Sequence, residues 1–119
     1  MEKSPFKGKA GVRRLLNALV YTFQGVVSAF RHEEAFRQEL LLALFLIPTA
    51  LLMRVSGVEK VIMIASVLML LVVELLNSAV EATVDLISLE DHELAKRAKD
   101  MGSAAVFLSL VNVAAIWLL

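Results

Sequence analysis

Glu74, Asn77 and Glu81 recur at i, i+3 and i+7 within the run Val73 to Asp85. On a helix that spacing puts all three on one face, and Asp85 at i+11 continues it. The run follows directly on the uncharged stretch Val61 to Val73, so Glu74 falls at membrane depth. A carboxylate at the centre of a membrane helix costs about 2.5–3.5 kcal/mol on insertion scales, and such groups mark function by default. Leu would serve packing better. Acidic oxygens aligned near a membrane surface suit a hard divalent cation. A polar seam that merely glues helices together would need a lone Asn or Ser, and this stripe carries two glutamates besides its Asn.

The elements that position this stripe follow from composition. The chain has 119 residues, of which 59% are hydrophobic, and its mean hydropathy is +0.76. Soluble domains are about 45–50% apolar, so this is a membrane protein. The length allows one small domain, 1–119, and three short spans cannot enclose a large polar site. Oligomerisation is therefore expected to complete it. There is no cysteine, which excludes disulfides, zinc–thiolate sites and thiol nucleophiles. Twelve basic and twelve acidic residues balance to zero net charge, unlike a nucleic-acid-binding chain. The basic stretch Lys3 to Arg14 is not followed by a clean apolar region, since Gln24, Arg31, His32, Glu33 and Glu34 interrupt it. A signal peptide is not expected.

Four helical blocks are expected. The first, about 12–30, repeats Leu15, Leu16, Leu19, Phe23, Val26, Val27 and Phe30 at helical spacing. With Arg13, Arg14 and Asn17 on the remainder, it reads as an amphipathic helix in the membrane surface. The second block spans about 36–54. Its uncharged core, Leu40 to Met53, is short of the ~20 residues a span needs, so flanking side chains must extend it. Pro48 inside it should kink it or free a carbonyl. The third block holds the acidic stripe, spans about 58–82, and projects further into the headgroups. The fourth begins near His92 and becomes a clean span over 101–119, with Trp117 suited to an interfacial anchor. Asn112 in that span reads as an interhelical hydrogen-bond group.

Basic residues set the topology. Lys3, Lys7, Lys9, Arg13, Arg14, Arg31 and Arg37 precede the first span, and Lys96, Arg97 and Lys99 lie in the second loop. The first loop holds only Arg54 and Lys60. The positive-inside rule then places the N-terminus and second loop in the cytoplasm and the C-terminus outside. The acidic stripe reaches the face where ATP and Mg²⁺ are available.

Three polar clusters should meet there: Glu33, Arg37, Gln38 and Glu39; then Glu74, Asn77, Glu81 and Asp85; then His92, Glu93, Lys96, Arg97, Lys99 and Asp100. They offer carboxylates for a metal and cations for phosphate, the parts phosphoryl transfer uses. Neither a G-x-x-x-x-G-K-[ST] loop nor G-x-G-x-x-G is present, so a nucleotide site here is unlike the common ones. On spacing alone a proton or cation carrier also fits an intramembrane Glu. By composition alone Arg14 is a headgroup-facing cation and Tyr21 an interfacial aromatic. Glu34 and Arg37 could form an i,i+3 pair.

Three segments resemble the prokaryotic integral-membrane diacylglycerol kinase family. They are Glu34-Ala35-Phe36-Arg37-Gln38-Glu39, Val73 through Glu81, and His92 through Val106 with its Lys99-Asp100-Met101-Gly102-Ser103 centre. The resemblance implies a homotrimer in the bacterial inner membrane with active sites shared between protomers. It implies transfer of the ATP γ-phosphoryl group to diacylglycerol with Mg²⁺ as cofactor. Undecaprenol is the alternative acceptor. Glu74 is similar to the catalytic base, and Glu33 and Glu81 to the Mg²⁺-ATP carboxylates. Arg14, Tyr21, His92, Lys99 and Asp100 match nucleotide positions, and the acidic loop residues Glu90 and Asp91 are grouped with them. Gln38, Glu39, Asn77 and Ser103 match positions lining the active or lipid site. Gln24 departs from the basic residue expected at its position.

Overall fold

The computed structural model describes residues 10–87 and 92–119, so Glu90 and Asp91 lie outside the described residues. Four helices follow in order: α1 (Ala10–His32), α2 (Glu34–Leu52), α3 (Gly57–Ile87) and α4 (Glu93–Leu118). All three of α2, α3 and α4 are long and apolar enough to cross a membrane.

Local chemistry sets the helix ends. Glu33 alone separates α1 from α2, with φ −118° and ψ 108°, which breaks the helical run. The Arg37 guanidinium donates to the carbonyls of Phe30 at 2.7 Å and Arg31 at 3.3 Å. Arg37 thus satisfies the end of α1 instead of pairing with Glu34. A cation there also complements the negative end of the helix dipole. At the start of α3, Ser56 Oγ accepts from the Glu59 N–H at 3.1 Å, and Glu59 Oε1 accepts from the Ser56 N–H at 3.0 Å. This reciprocal S-x-x-E arrangement satisfies two otherwise orphaned donors. Lys60 Nζ donates back to the Leu51 carbonyl at 2.9 Å, tying α3 to the end of α2. At α4, His92 Nδ1 accepts from the Leu94 N–H at 3.0 Å. Helix α2 runs through Pro48, which has no N–H to offer the Leu44 carbonyl.

Helix α3 is central, packing on α2 and on α4, and α1 packs on α2. The buried positions on α2 are Phe36, Ala43 and Ala50, seven apart. On α3 they include Met63, Val67, Leu70 and Glu74, at alternating steps of four and three. That is the spacing of a left-handed helix seam. Val67 and Leu70 are wholly enclosed. Glu74 occupies the next seam position, where an aliphatic residue would be expected. On α4, Ser109 and Val113 continue the same kind of seam. Small residues in it let the backbones approach closely.

Most large apolar side chains, among them Leu44, Phe45, Leu68, Phe107 and Leu108, point outward. In water so continuous an apolar surface would drive aggregation; in lipid it is the solvent-facing surface. Trp117 makes contacts beyond the interfacial anchoring expected of it. Its ring N–H donates across to the Met63 carbonyl and to Ser66 Oγ, both at 3.2 Å. The ring therefore pins α4 to α3 rather than serving only as an interfacial anchor. Asn112 is exposed on α4 and makes no hydrogen bond to another described helix.

Candidate active site

The site is built around Glu74, which is 4% exposed. Its place in the seam turns it toward α2, where Glu39 is its neighbour and the two carboxyl groups interact. Glu39 lies three residues after the buried Phe36, so the α2 seam carries it to the same level. Two carboxyl groups this close either share a proton between them or take a positive partner such as a metal ion.

Three buried atoms around this pair lack any hydrogen-bond partner: Glu39 Oε1, Asn77 Oδ1 and Ser78 Oγ. A buried unpaired polar group costs about 1–3 kcal/mol, and native chains avoid it unless something else comes to the site. Glu39 Oε1 and Ser78 Oγ are thereby left available to a ligand, whereas Asn77 Oδ1 lies against Gly102 of α4. Ser78 also lines a groove of about 600 Å³ between α1 and α3, with Ala29, Glu33, Leu75 and Ala82 on its walls.

Nearer the charged end, the stripe meets α4. Lys99 Nζ lies 2.7 Å from Asp85 Oδ1, and Glu81 adds to the negative field around it. Lys96 and Asp100 pair at 2.7 Å along α4. Both pairs are exposed, so water screens them and their direct contribution to stability is small. Their use lies in holding charge in place beside the stripe. Glu74 and Glu81 are seven residues apart, or roughly 10 Å along the axis at 1.5 Å per residue. The site thus has a deep carboxylate pair and a shallow mixed-charge cluster.

Glu74, Glu39, Asn77, Glu81, Asp85 and Lys99 are brought together along the α2–α3–α4 seam. Glu33 is half-buried at the α1–α2 junction and lines the groove. His92 caps α4 and borders a cavity of about 430 Å³ with Val84, Ile87, Leu94 and Ala95. Gln38 and Ser103 are exposed beside the site, whereas Arg14 and Tyr21 are exposed on α1. Among the described residues, no three of the Asp, Glu and His side chains converge as a ready-made metal cage. The expected meeting of the Glu39 and Glu74 clusters takes the form of a direct carboxyl pairing, which spacing alone does not give, and nothing in the sequence marks the orphaned Ser78 hydroxyl. The step from Leu70 to Glu74 along the buried seam is the signal that could have found the pairing.

The sequence pattern of prokaryotic diacylglycerol kinases matches residues 20–119. The chain belongs to the prokaryotic diacylglycerol kinase family. A diacylglycerol kinase of Pseudomonas aeruginosa is 56% identical over 117 residues, covering 98% of this chain and 95% of that protein. One from Haemophilus influenzae is 49% identical, covering 90% of this chain and 91% of its own length. One from Escherichia coli K12 is 42% identical, covering 90% and 88%. Within the chain, the family match takes in α2, α3 and α4 entirely and α1 from Val20 onward. Tyr21 lies inside it and Arg14 outside.

Proposed function

We propose that this protein is a membrane-embedded lipid kinase that transfers the ATP γ-phosphoryl group to the primary hydroxyl of diacylglycerol, giving phosphatidic acid. The observation that carries this reading is the pairing of the buried Glu74 with the half-buried Glu39 at membrane depth, roughly two turns below the Glu81–Asp85–Lys99 cluster. A lipid hydroxyl sits just below the headgroups, and a nucleotide arrives from water. The two levels of the site match those two substrates. Family membership and the named relatives point the same way.

Glu74 is the general base. As the lipid oxygen bonds to the γ-phosphorus, the bond from that phosphorus to the β-phosphate oxygen breaks and ADP leaves. The hydroxyl proton passes to the Glu74 carboxylate. Glu39 holds Glu74 in place, and Asn77 lines the reacting centre with Ser103 and Gln38. Lys99 faces the phosphates once it exchanges Asp85 for them, and His92 and Asp100 border the nucleotide. Arg14 and Tyr21 reach the nucleotide from α1.

Magnesium fits the donor set. Mg²⁺ is typically held by one or two carboxylates plus substrate phosphates rather than by an all-protein cage. Glu33 and Glu81 would supply those carboxylates. When bound, the ion neutralises charge on the β- and γ-phosphoryl oxygens.

The active unit is a homotrimer with shared sites. Asn112, a polar amide left exposed in the apolar α4, supports a neighbouring helix there. Helix α1 lies in the membrane surface: Leu15, Leu19 and Phe23 are exposed on it and need lipid. The N-terminus and the α3–α4 connection face the cytoplasm, by the distribution of Lys and Arg.

The test is transfer of label from γ-labelled ATP by the purified protein in mixed micelles with Mg²⁺, offering diacylglycerol and undecaprenol separately. The expected product is labelled phosphatidic acid. Label mainly in undecaprenyl phosphate would change the acceptor. No labelled lipid from a folded oligomer would leave an ion or proton carrier as the better reading.

A further inference from the structure

Asn77 is buried through its carboxamide oxygen, and that oxygen accepts no hydrogen bond. Among the described residues Asn77 has no hydrogen-bond partner at all. What lies against it is Gly102 of α4. A β-carbon built on Gly102 would fall onto Asn77 Oδ1, and the three atoms nearest to it are all Asn77 side-chain atoms, the second of them 3.1 Å away. The other described glycines, Gly11, Gly25 and Gly57, have open space where a β-carbon would go. Gly102 lies seven residues before the buried Ser109, on the α4 face that meets α3. Its backbone φ is not positive, so conformational freedom does not explain the glycine. The missing side chain does: the carboxamide occupies its volume, with the oxygen directed at the Gly102 Cα–H as a weak acceptor contact.

We infer that Gly102 is a positioning residue for the phosphoryl-transfer site, acting through Asn77. With Oδ1 seated against α4, the carboxamide is held in one rotamer and its NH₂ end remains the donor, one helical turn from Glu74. That donor is placed to hydrogen-bond the lipid hydroxyl oxygen or a γ-phosphoryl oxygen as negative charge builds there. A β-carbon at 102 turns the carboxamide out of this seat and takes the donor with it. The inference rests on the kinase reading above.

The test is a double-mutant cycle with Gly102→Ala, Asn77→Ala and the pair. It reads kcat and the KM values for ATP and diacylglycerol, with thermal stability of each variant followed in the same detergent. Gly102→Ala should lower kcat at least tenfold and leave the KM for ATP within about twofold. With Asn77 cut to Ala, the nearest remaining side-chain atom is Cβ, 3.9 Å from the added carbon. Gly102→Ala should then cost less than twofold beyond Asn77→Ala alone. Should Gly102→Ala fail to fold, the pair must still fold and match Asn77→Ala in kcat. Full activity in Gly102→Ala, or a loss in the pair equal to the product of the single losses, overturns the inference. So does a pair that fails to fold while Asn77→Ala folds. A wild-type protein without lipid kinase activity overturns the kinase reading instead.

Discussion

Replacing Glu74 with Gln separates the chemistry of this site from its packing. Gln is close to Glu in volume, so the seam position that follows Met63, Val67 and Leu70 stays filled. The amide NH₂ gains an acceptor, because Glu39 on α2 faces this position and its Oε1 is without a partner. The variant should therefore be at least as stable as the native chain. Catalysis should respond in the opposite direction. A positioned general base contributes about 10²–10⁴-fold, or roughly 2.7–5.5 kcal/mol of barrier at 1.36 kcal/mol per decade. The assay is initial-rate phosphatidic acid formation in mixed micelles, paired with thermal unfolding and ATP binding by the same preparation. The expected result is kcat down at least a hundredfold, the midpoint of unfolding unchanged or raised, and nucleotide affinity within about threefold. Activity within tenfold of native would refute Glu74 as the base. A loss of activity matched by a lowered midpoint would reduce Glu74 to a structural role.

Other perturbations act on separate parts of the molecule. Glu33→Gln and Glu81→Gln should each raise the Mg²⁺ concentration needed for half-maximal rate, and unchanged metal dependence in both would remove these residues from the metal site. Ser56→Ala breaks the reciprocal cap at the start of α3 and should cost about 1 kcal/mol in detergent unfolding without altering kcat per folded molecule. Trp117→Phe removes the donor shared by the Met63 carbonyl and Ser66 Oγ; it should cost about 0.5–1.5 kcal/mol, again with kcat preserved, since the pin lies at the far end of α3 from Glu74.

The sequence made the helices and the acidic stripe legible because both rest on period. The uncharged runs are long enough to declare themselves, and Glu74, Asn77 and Glu81 share a face at any helix rotation. What stayed hidden depends on which helices touch. The step from Leu70 to Glu74 continues a buried seam, yet only the docking of α2 shows that Glu39 fills the facing position. Arg37 looked like a partner for Glu34 because both lie on one helix; the sharp turn at Glu33 instead carries the end of α1 within its reach. Trp117 looked like a membrane anchor because end-of-span tryptophans often are, and Ser66 lies some fifty residues away in the chain. Gly102 sits among small residues and gives no signal of its own until Asn77 is seen above it. Distant pairings of this kind are invisible to spacing rules, whereas the S-x-x-E cap at Ser56 to Glu59 lies within reach of them.

The central claim is that the lipid oxygen attacks the γ-phosphorus directly while Glu74 takes its proton. The most direct measurement is the stereochemical course at phosphorus, using ATP made chiral at the γ-position with oxygen isotopes and diacylglycerol as acceptor. Direct in-line transfer predicts inversion of configuration in the phosphatidic acid formed. Retention would mean two displacements through a phosphorylated side chain, and would contradict the assignment of Glu74 as a base.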